Sequence, residues 1–266
     1  MVGENNKVVI VTGGSSGIGR CTASALKENG CIVYEFSRRN IPMEGVTHLS
    51  VDVTDEDAVT AAVQQVIQKE TKIDAVINCA DFGISGAVEF TSMEQAKAQF
   101  DVNFFGTVTV NKTVLPFLRH QGKGHIVNIS SVAAVAHIPF QTFYSASKAA
   151  VSSYSYALAN EVKPYGIHVT VVELGDICTG FTKARQKSIL GDDEYGGRIS
   201  RSVSQMEHDE QNGMDPARIG RYIAGIVEKK KPAVVYVAGA QYKFLSLLCK
   251  LLPAAARGKI VGKIYG

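Results

Sequence analysis

A glycine-rich turn directly after an unbroken apolar run is the feature that most constrains how this chain folds. The run Val8 to Val11 is β-branched and lacks polar alternation, which predicts a parallel strand buried on both faces. A helical pattern from Arg20 to Asn29, closed by Gly30, comes after the turn. The turn itself contributes Gly13, Ser15, Ser16, Gly17, Ile18 and Gly19. Its glycines would let a pyrophosphate approach backbone N–H groups and a helix N-terminus, although such turns also occur as simple tight connections.

Short apolar runs alternate with helical patterns over the 266 residues. The apolar runs predict strands at 7–12, 31–36, 47–51, 73–78, 124–129, 167–173 and 233–237. The helical patterns predict helices near 17–29, 55–70, 92–119, 144–164 and 215–229. Strands separated by helices form right-handed βαβ units and hence a doubly wound parallel sheet. We therefore predict an α/β, Rossmann-type fold with residues 1–266 in a single domain and ligands at the carboxyl ends of the strands.

The composition argues against several classes of protein. A formal net charge of +3, evenly spread, does not favour nucleic-acid binding. The six histidines are dispersed without ligand spacing, so we predict no metal site. Five cysteines without a C-x-x-C pair are typical of free thiols in a reducing compartment. Because the first residues lack the apolar core of a signal peptide, we expect a cytoplasmic protein.

Tyr144 and Lys148 form a candidate acid/base pair. At i and i+4 they share one face of the predicted helix, and Ser131 precedes Tyr144 by thirteen residues. An ammonium group about 4 Å from a phenol, at an effective dielectric of ~20, would lower the phenol pKa by ~3 units from roughly 10. A general acid/base is most useful near neutral pH, so we expect Tyr144 to fill that role. Taken alone the pair also fits an ordinary amphipathic helix.

These motifs together resemble those of the short-chain dehydrogenase/reductase family. The resemblance covers about residues 6–240 and rests on the sequence T-G-G-S-S-G-I-G, Asn103, Ser131 and Tyr144-x-x-x-Lys148. It implies a nicotinamide-dependent oxidoreductase in which Tyr144 exchanges the proton and Ser131 positions the reacting oxygen. It also implies that Lys148 binds the nicotinamide ribose and lowers the Tyr144 pKa, while Asn103 holds a water that links Lys148 to solvent.

The same resemblance predicts which nicotinamide cofactor is used. Ser37 occupies the slot where an acidic residue would favour NAD, and Arg38 and Arg39 follow it. A hydroxyl and guanidinium groups suit a 2′-phosphate, which predicts NADP(H); the alternative is a solvated basic turn. Further contacts to the cofactor are expected from Asp52, Val53, Asn78, Ala80, Tyr144, Lys148, Gly175, Ile177 and Thr179.

Two positions depart from the pattern that this family usually shows. The chain has Asn78-Cys79-Ala80-Asp81 where Asn-Asn-Ala-Gly is usual, which adds a carboxylate near the cofactor. It has Leu174-Gly175 where Pro-Gly is common. Neither change removes a catalytic group, and the sequence assigns no role to Asp81.

An apolar pocket around the reacting carbonyl is also expected. Its candidate residues are Val132, His137, Ile138, Phe140, Phe143, Phe181 and Ile189, beside a substrate lid at 178–214. We expect a bulky lipophilic alcohol or ketone, because the pattern resembles the branch containing 17β-hydroxysteroid dehydrogenases, retinol dehydrogenases and acyl-dihydroxyacetone-phosphate reductases. A non-catalytic NADP-binding sensor or scaffold is the alternative class, which the presence of Ser131, Tyr144 and Lys148 disfavours. A homodimer or homotetramer is expected from the family.

The tail at 240–266 combines leucines with lysines and arginine. A basic amphipathic helix of this kind can lie on a membrane surface, which predicts a peripheral membrane contact. The alternative is that its leucines cover the substrate cleft or a subunit contact. No run reaches 18 apolar residues, so the sequence does not predict a spanning helix.

Overall fold

The computed structural model describes residues 7–266 and contains a parallel sheet covered by helices on both faces. The strands are β1 Val8–Thr12, β2 Ile32–Ser37, β3 Val46–Ser50, β4 Ala75–Asn78, β5 Ile84–Ser85, β6 Gly124–Ser131, β7 Ile167–Leu174, β8 Gln186–Lys187 and β9 Val235–Val237. Within the described residues the main sheet has the order β3-β2-β1-β4-β6-β7-β9, and all of its pairings are parallel. The doubly wound fold predicted from the sequence is confirmed. The short β5–β8 pair was not predicted.

The helices follow the predicted pattern and add several elements to it. They are α1 Gly17–Glu28, α2 Glu56–Glu70, α3 Met93–Phe100, α4 Thr107–Gln121, α5 Ala133–Ala136, α6 Thr142–Val162, α7 Phe181–Ala184, α8 Arg198–Gln211, α9 Pro216–Val227, α10 Ala240–Leu251 and α11 Ala254–Tyr265. A π-helical segment, Asp101–Gly106, interrupts the helix predicted at 92–119. Such segments often occur at functional sites, and this one carries Asn103.

The burial of β1 on both faces of the sheet explains why its sequence lacks polar alternation. Val8 and Ile10 pack into a core beneath α2, α4 and α6, while Val9 and Val11 pack into a second core beneath α1 and α9. All four side chains are fully buried. Burial of each contributes about 1.5–3 kcal/mol relative to exposure, so the two-sided core fixes β1 at the centre of the sheet.

The strand order reverses between β1 and β4, and a crevice opens at their carboxyl ends. The Thr12 hydroxyl at the end of β1 accepts hydrogen bonds from the backbone N–H groups of Cys79 and Ala80, each at 3.0 Å. These bonds fix the segment after β4 against the glycine-rich turn. The predicted site residues therefore lie around one crevice.

The lid and the tail pack over the same edge of the sheet. The segment 178–214 contains α7, β8 and α8, while the tail forms α10 and α11 with Pro253 between them. Glu173, buried in β7, accepts hydrogen bonds from Ser246 Oγ at 2.6 Å and from Lys250 Nζ at 2.7 Å. A buried carboxylate with two donors fastens the tail to the sheet.

We predict that buried His125 makes the fold sensitive to acid. Its Nε2 lies 2.9 Å from Thr170 Oγ1, and burial, then His168 and Lys7, lowers its pKa to about 3. The unfolded chain, with a His pKa near roughly 6.5, binds the proton first, so this contribution to stability is present above that pH and is lost below it. Between pH 7 and pH 5 the loss is about 2 kcal/mol.

Urea denaturation of the variants His125→Gln and His120→Gln, at both pH values, measures this effect. His120 is exposed and serves as the control. The His125 variant is expected to lose less stability on acidification than the His120 variant. An equal loss in both would show that His125 is not the acid-sensitive group.

Candidate functional site

A cavity of about 930 Å³ runs along the carboxyl ends of the strands. Most of the cofactor-binding residues predicted from the sequence line it: Gly13, Ser15, Ser16, Gly17, Ile18, Gly19, Ser37, Arg38, Arg39, Asp52, Val53, Ala80, Tyr144, Gly175, Ile177 and Thr179. Of the predicted catalytic residues, Ser131 and Tyr144 also lie on its wall. Asn78, Asn103 and Lys148 lie behind that wall and are buried.

The glycine-rich turn leaves the amino end of α1 open to the cavity. Gly13 has φ +67°, and a Cβ there would lie 2.9 Å from the backbone of Ala80. A Cβ on Gly19 would lie 2.4 Å from the Gly13 carbonyl oxygen. Ser16 at the N-cap and the first three residues of α1 line the cavity, and within the described residues the Ser16 side chain caps no backbone N–H of the helix. The turn therefore fits the pyrophosphate of a dinucleotide.

Two arginines stand at the far end of the cavity from Tyr144. Arg39 Nη2 lies 3.4 Å from Ser16 Oγ, and Arg38 Nη1 lies 3.8 Å from an Asp52 carboxylate oxygen. The Ser37 hydroxyl is 2.7 Å from Oε1 of Glu35, which is buried beneath Gly14. The Arg39 guanidinium is thus close to the turn that would hold the pyrophosphate, and the Arg38 guanidinium lies beside Asp52 on the same cavity wall.

Ser131 and Tyr144 meet where the cavity turns from polar to apolar. Ser131 ends β6, and Tyr144 lies in the first turn of α6. Their hydroxyl groups hydrogen-bond, and the Tyr144 ring lies 5.8 Å from the Phe181 ring. This pair can bind one oxygen atom of a substrate and exchange a proton with it.

The structure corrects the expected electrostatics of Tyr144. Burial raises its pKa well above the ordinary value, the Asp81 carboxylate raises it further, and the hydrogen bond from Ser131 opposes them. Lys148 does not dominate, because its Nζ lies 2.8 Å from Asp81 Oδ2 and donates to the Ile129 carbonyl at 3.1 Å. The ammonium lies 5.6 Å from the centre of the Tyr144 ring. Tyr144 therefore keeps its proton at neutral pH.

Asn103 and Asn78 brace the walls of the cavity from behind. Asn103 Oδ1 accepts from the Phe82 N–H at 3.1 Å, and its Nδ2 donates to the Phe82 carbonyl at 3.0 Å. Asn78 donates to the amide oxygens of Asn111 and Asn128 at 2.7 and 2.8 Å. Both side chains hold neighbouring segments in place in this structure.

The predicted substrate residues divide into two groups. Val132, Ile138 and Phe181 line the cavity, whereas His137, Phe140 and Phe143 lie away from its wall and Ile189 is exposed. His137 and Phe140 have φ values of +56° and +57°, and the resulting turn packs the Phe140 ring 5.8 Å from that of Tyr195. Sequence spacing does not predict this turn or the position of Phe140 away from the cavity wall.

The tail supplies cavity residues that the sequence did not assign. Those on the wall are Tyr242, Leu245, Leu248, Cys249, Leu252, Arg257, Ile260, Val261, Ile264 and Tyr265. Their signal was the amphipathic pattern, which left cleft cover and membrane contact as alternatives. The structure favours cleft cover for the inner face of the tail. Asp176 and Glu210 also line the cavity and were not predicted.

Neither a metal cluster nor a spanning segment occurs in the part of the chain that the structure describes. Across residues 7–266, no three His, Cys, Asp or Glu side chains are grouped as ligands of a metal ion. None of the helices in that range combines the length and the apolar character needed to cross a bilayer.

Comparison with known proteins places the site in a family context. Residues 7–189 match the family described as short chain dehydrogenase. The chain is 44% identical over 229 residues to a 3-ketodihydrosphingosine reductase of Bacteroides thetaiotaomicron, covering 85% of each chain. A short-chain dehydrogenase from Streptomyces avermitilis superposes with a TM-score of 0.85 at 27% identity over 98% of both chains. One from Burkholderia phymatum, solved in complex with NAD, has a TM-score of 0.80 at 19% identity, covering 93% of this chain and 94% of that one.

Proposed function

Because the chain belongs to the short-chain dehydrogenase family, we propose that it is an NADP(H)-dependent oxidoreductase that interconverts an alcohol, most simply a secondary alcohol, and the corresponding ketone or aldehyde on a bulky lipophilic molecule. The contact between Ser131 and Tyr144, at the junction of the polar and apolar halves of one cavity, carries the proposal. An intact acid/base pair in such a position favours an enzyme over a non-catalytic sensor or scaffold.

In the reductive direction the bound nicotinamide would supply a hydride to the carbonyl carbon. Ser131 would hold the carbonyl oxygen, and Tyr144 would donate its hydroxyl proton to that oxygen. Since burial raises the pKa of Tyr144, the group keeps its proton at neutral pH and suits reduction. Lys148 lies behind the cavity wall with its ammonium on Asp81, so the expected contact with the nicotinamide ribose would require that carboxylate to move aside.

The charges at the far end of the cavity support NADP(H). A 2′-phosphate carries nearly two negative charges. The Arg39 side chain lies beside the turn that fits the pyrophosphate, and Arg38 lies on the wall of the same cavity next to Asp52. The Glu35 carboxylate, the nearest on β2, is buried and hydrogen-bonded to Ser37 instead of facing the cavity. The end of β2 therefore presents cations to an anion.

Two lipophilic substrate classes fit the apolar half. A hydroxysteroid fits because Val132, Ile138 and Phe181 surround the carbonyl position with apolar surface. A long-chain ketone fits because the inner faces of α10 and α11 extend the apolar wall along the cavity, and the Bacteroides relative is a 3-ketodihydrosphingosine reductase. An oxidation and reduction screen of both classes, monitored by nicotinamide absorbance, separates them.

We further propose that the protein acts in the cytoplasm as a homodimer or homotetramer with the outer face of its tail against a membrane. Phe244, Leu247 and Leu251 lie on one side of α10 and are 68%, 57% and 74% exposed. Residues 240–266 contain five Lys or Arg residues and no Asp or Glu. An apolar stripe with cations around it suits an anionic lipid surface, next to the cavity that the inner face covers.

Replacing Tyr144 by Phe should lower turnover by at least about 10²–10⁴-fold, because the ring is kept and the proton donor is lost. Steady-state kinetics with the best substrate of the screen measures the loss. Cofactor affinity, measured by isothermal titration calorimetry, should change little. Near-parental turnover in a chemistry-limited assay would rule out Tyr144 as the acid.

The parental enzyme should prefer NADP(H) to NAD(H) by at least ~10-fold, because one charge-assisted hydrogen bond contributes about 1.5–3 kcal/mol. Arg38→Ala should remove most of that preference, and Ser37→Asp should turn it toward NAD(H). Dissociation constants and kcat/KM for both cofactors measure it, with exposed Arg119 replaced by Ala as the control. A parental preference for NADH would contradict the assignment.

The intact protein should co-sediment with vesicles that contain anionic phospholipid and bind neutral vesicles less. The triple variant Phe244→Ser, Leu247→Ser, Leu251→Ser should lose most of this binding and keep its cofactor affinity. Val88→Ser with Met93→Ser, also exposed apolar residues, is the matched control. If the intact protein does not bind anionic vesicles, the proposed membrane contact is wrong. Light scattering would then test whether the apolar stripe mediates self-association instead.

A further inference from the structure

Asp81 contacts the residue that the proposed mechanism places behind Tyr144. Its Oδ2 lies 2.8 Å from Lys148 Nζ, and the side chains of Asp81 and Lys148 are 18% and 2% exposed. Asp81 lines the cavity and Lys148 does not, so the carboxylate stands between the ammonium and the cavity. Its Oδ1 is buried without a hydrogen-bond partner among the described residues.

The backbone on both sides of Asp81 is fixed. Before it, the Cys79 and Ala80 N–H groups donate to Thr12 Oγ1. After it, the Phe82 carbonyl accepts hydrogen bonds from Asn103 Nδ2 at 3.0 Å and from Gln99 Nε2 at 2.6 Å. The carboxylate is therefore held at Lys148 by the fold, and not by the ion pair alone.

The charges around Tyr144 come from four elements. Asp81 follows β4 and Lys148 lies on α6, while Glu210 on α8 and Arg185 after α7 pair with one another. Each pair brings one positive and one negative group, so the Lys148 ammonium does not act on Tyr144 as an isolated cation. The nearby Cys79 thiol is neutral, since burial raises its pKa to about 12.

We propose that Asp81 is a positioning residue that holds the Lys148 ammonium and offsets its charge, so that Tyr144 keeps its proton and can donate it up to a more alkaline pH. The proposal rests on the function proposed above for Tyr144. With the glycine usual at this position in the family, the same ammonium would act on the phenol without an opposing carboxylate. The effect proposed for Asp81, a higher proton affinity of the phenol, agrees with the raised pKa of Tyr144, to which burial contributes most and Asp81 next.

Titration of the Tyr144 phenol in the protein without cofactor or substrate tests this directly. Tyrosinate absorbance is followed against pH for the parent, Asp81→Asn and Asp81→Gly. A companion carrying Tyr144→Phe is subtracted in each case. Asparagine keeps the size of the side chain and removes its charge, while glycine restores the usual residue. Both variants should titrate about one to three units lower than the parent, because a neighbouring negative charge has been removed.

The pH profile of catalysis supplies the second readout. In both variants the alkaline fall of kcat/KM for reduction should move to lower pH, and Glu94→Gln, an exposed carboxylate, should move neither curve. If no substrate is turned over but the phenol titrates lower, the proposed function fails and the role of Asp81 in setting the proton affinity stands. If Tyr144 titrates no earlier in either variant than in the parent, the inference about Asp81 is overturned, whatever the activity.

Discussion

The close contact between the ends of β1 and β4 is the constraint on which the cavity depends. Thr12 accepts the N–H groups of Cys79 and Ala80, and Gly13 leaves no room for a Cβ against Ala80. Because β1 is buried on both faces, neither strand can shift to relieve that contact. The same short segment then continues to Asp81, so the position of the phosphate-binding turn and that of the acid/base group are set together.

Around Tyr144 the electrostatics are decided by pairs of opposite charges. Lys148 is partnered by Asp81, and the Arg185 guanidinium is partnered by Glu210. A charge removed from water is costly unless it is paired, and each pair weakens the field that its members exert on a neighbour. Burial is therefore left as the largest influence on Tyr144, and burial favours its neutral form.

The sequence predicted the sheet because strands depend on local apolar patterns, while the family resemblance named most of the residues that line the polar half of the cavity. Apolar runs located the strands of the main sheet, and the resemblance to the family paired Ser131 with Tyr144, which are neighbours in the structure. The prediction that Lys148 lowers the Tyr144 pKa was wrong. The i, i+4 rule placed Lys148 beside the phenol but did not reveal that Asp81 pairs with the Lys148 ammonium. Likewise, Phe140 faces Tyr195 because of a left-handed turn at residues without glycine, which no periodicity signals.

The tail shows how a contact far along the sequence completes a local pocket. Glu173 lies near the end of β7, directly before Leu174 and Gly175 on the cavity wall. Its buried carboxylate accepts hydrogen bonds from Ser246 and Lys250 of α10. Gly175 lies so near Tyr242 that a Cβ would come within 2.2 Å of the ring. Loss of the tail donors would leave the buried Glu173 carboxylate with the Tyr156 hydroxyl at 3.3 Å but without a cation, and loss of the Tyr242 contact would leave a gap beside the apolar wall. The shape of the lipophilic half therefore depends on the tail as much as on the sheet.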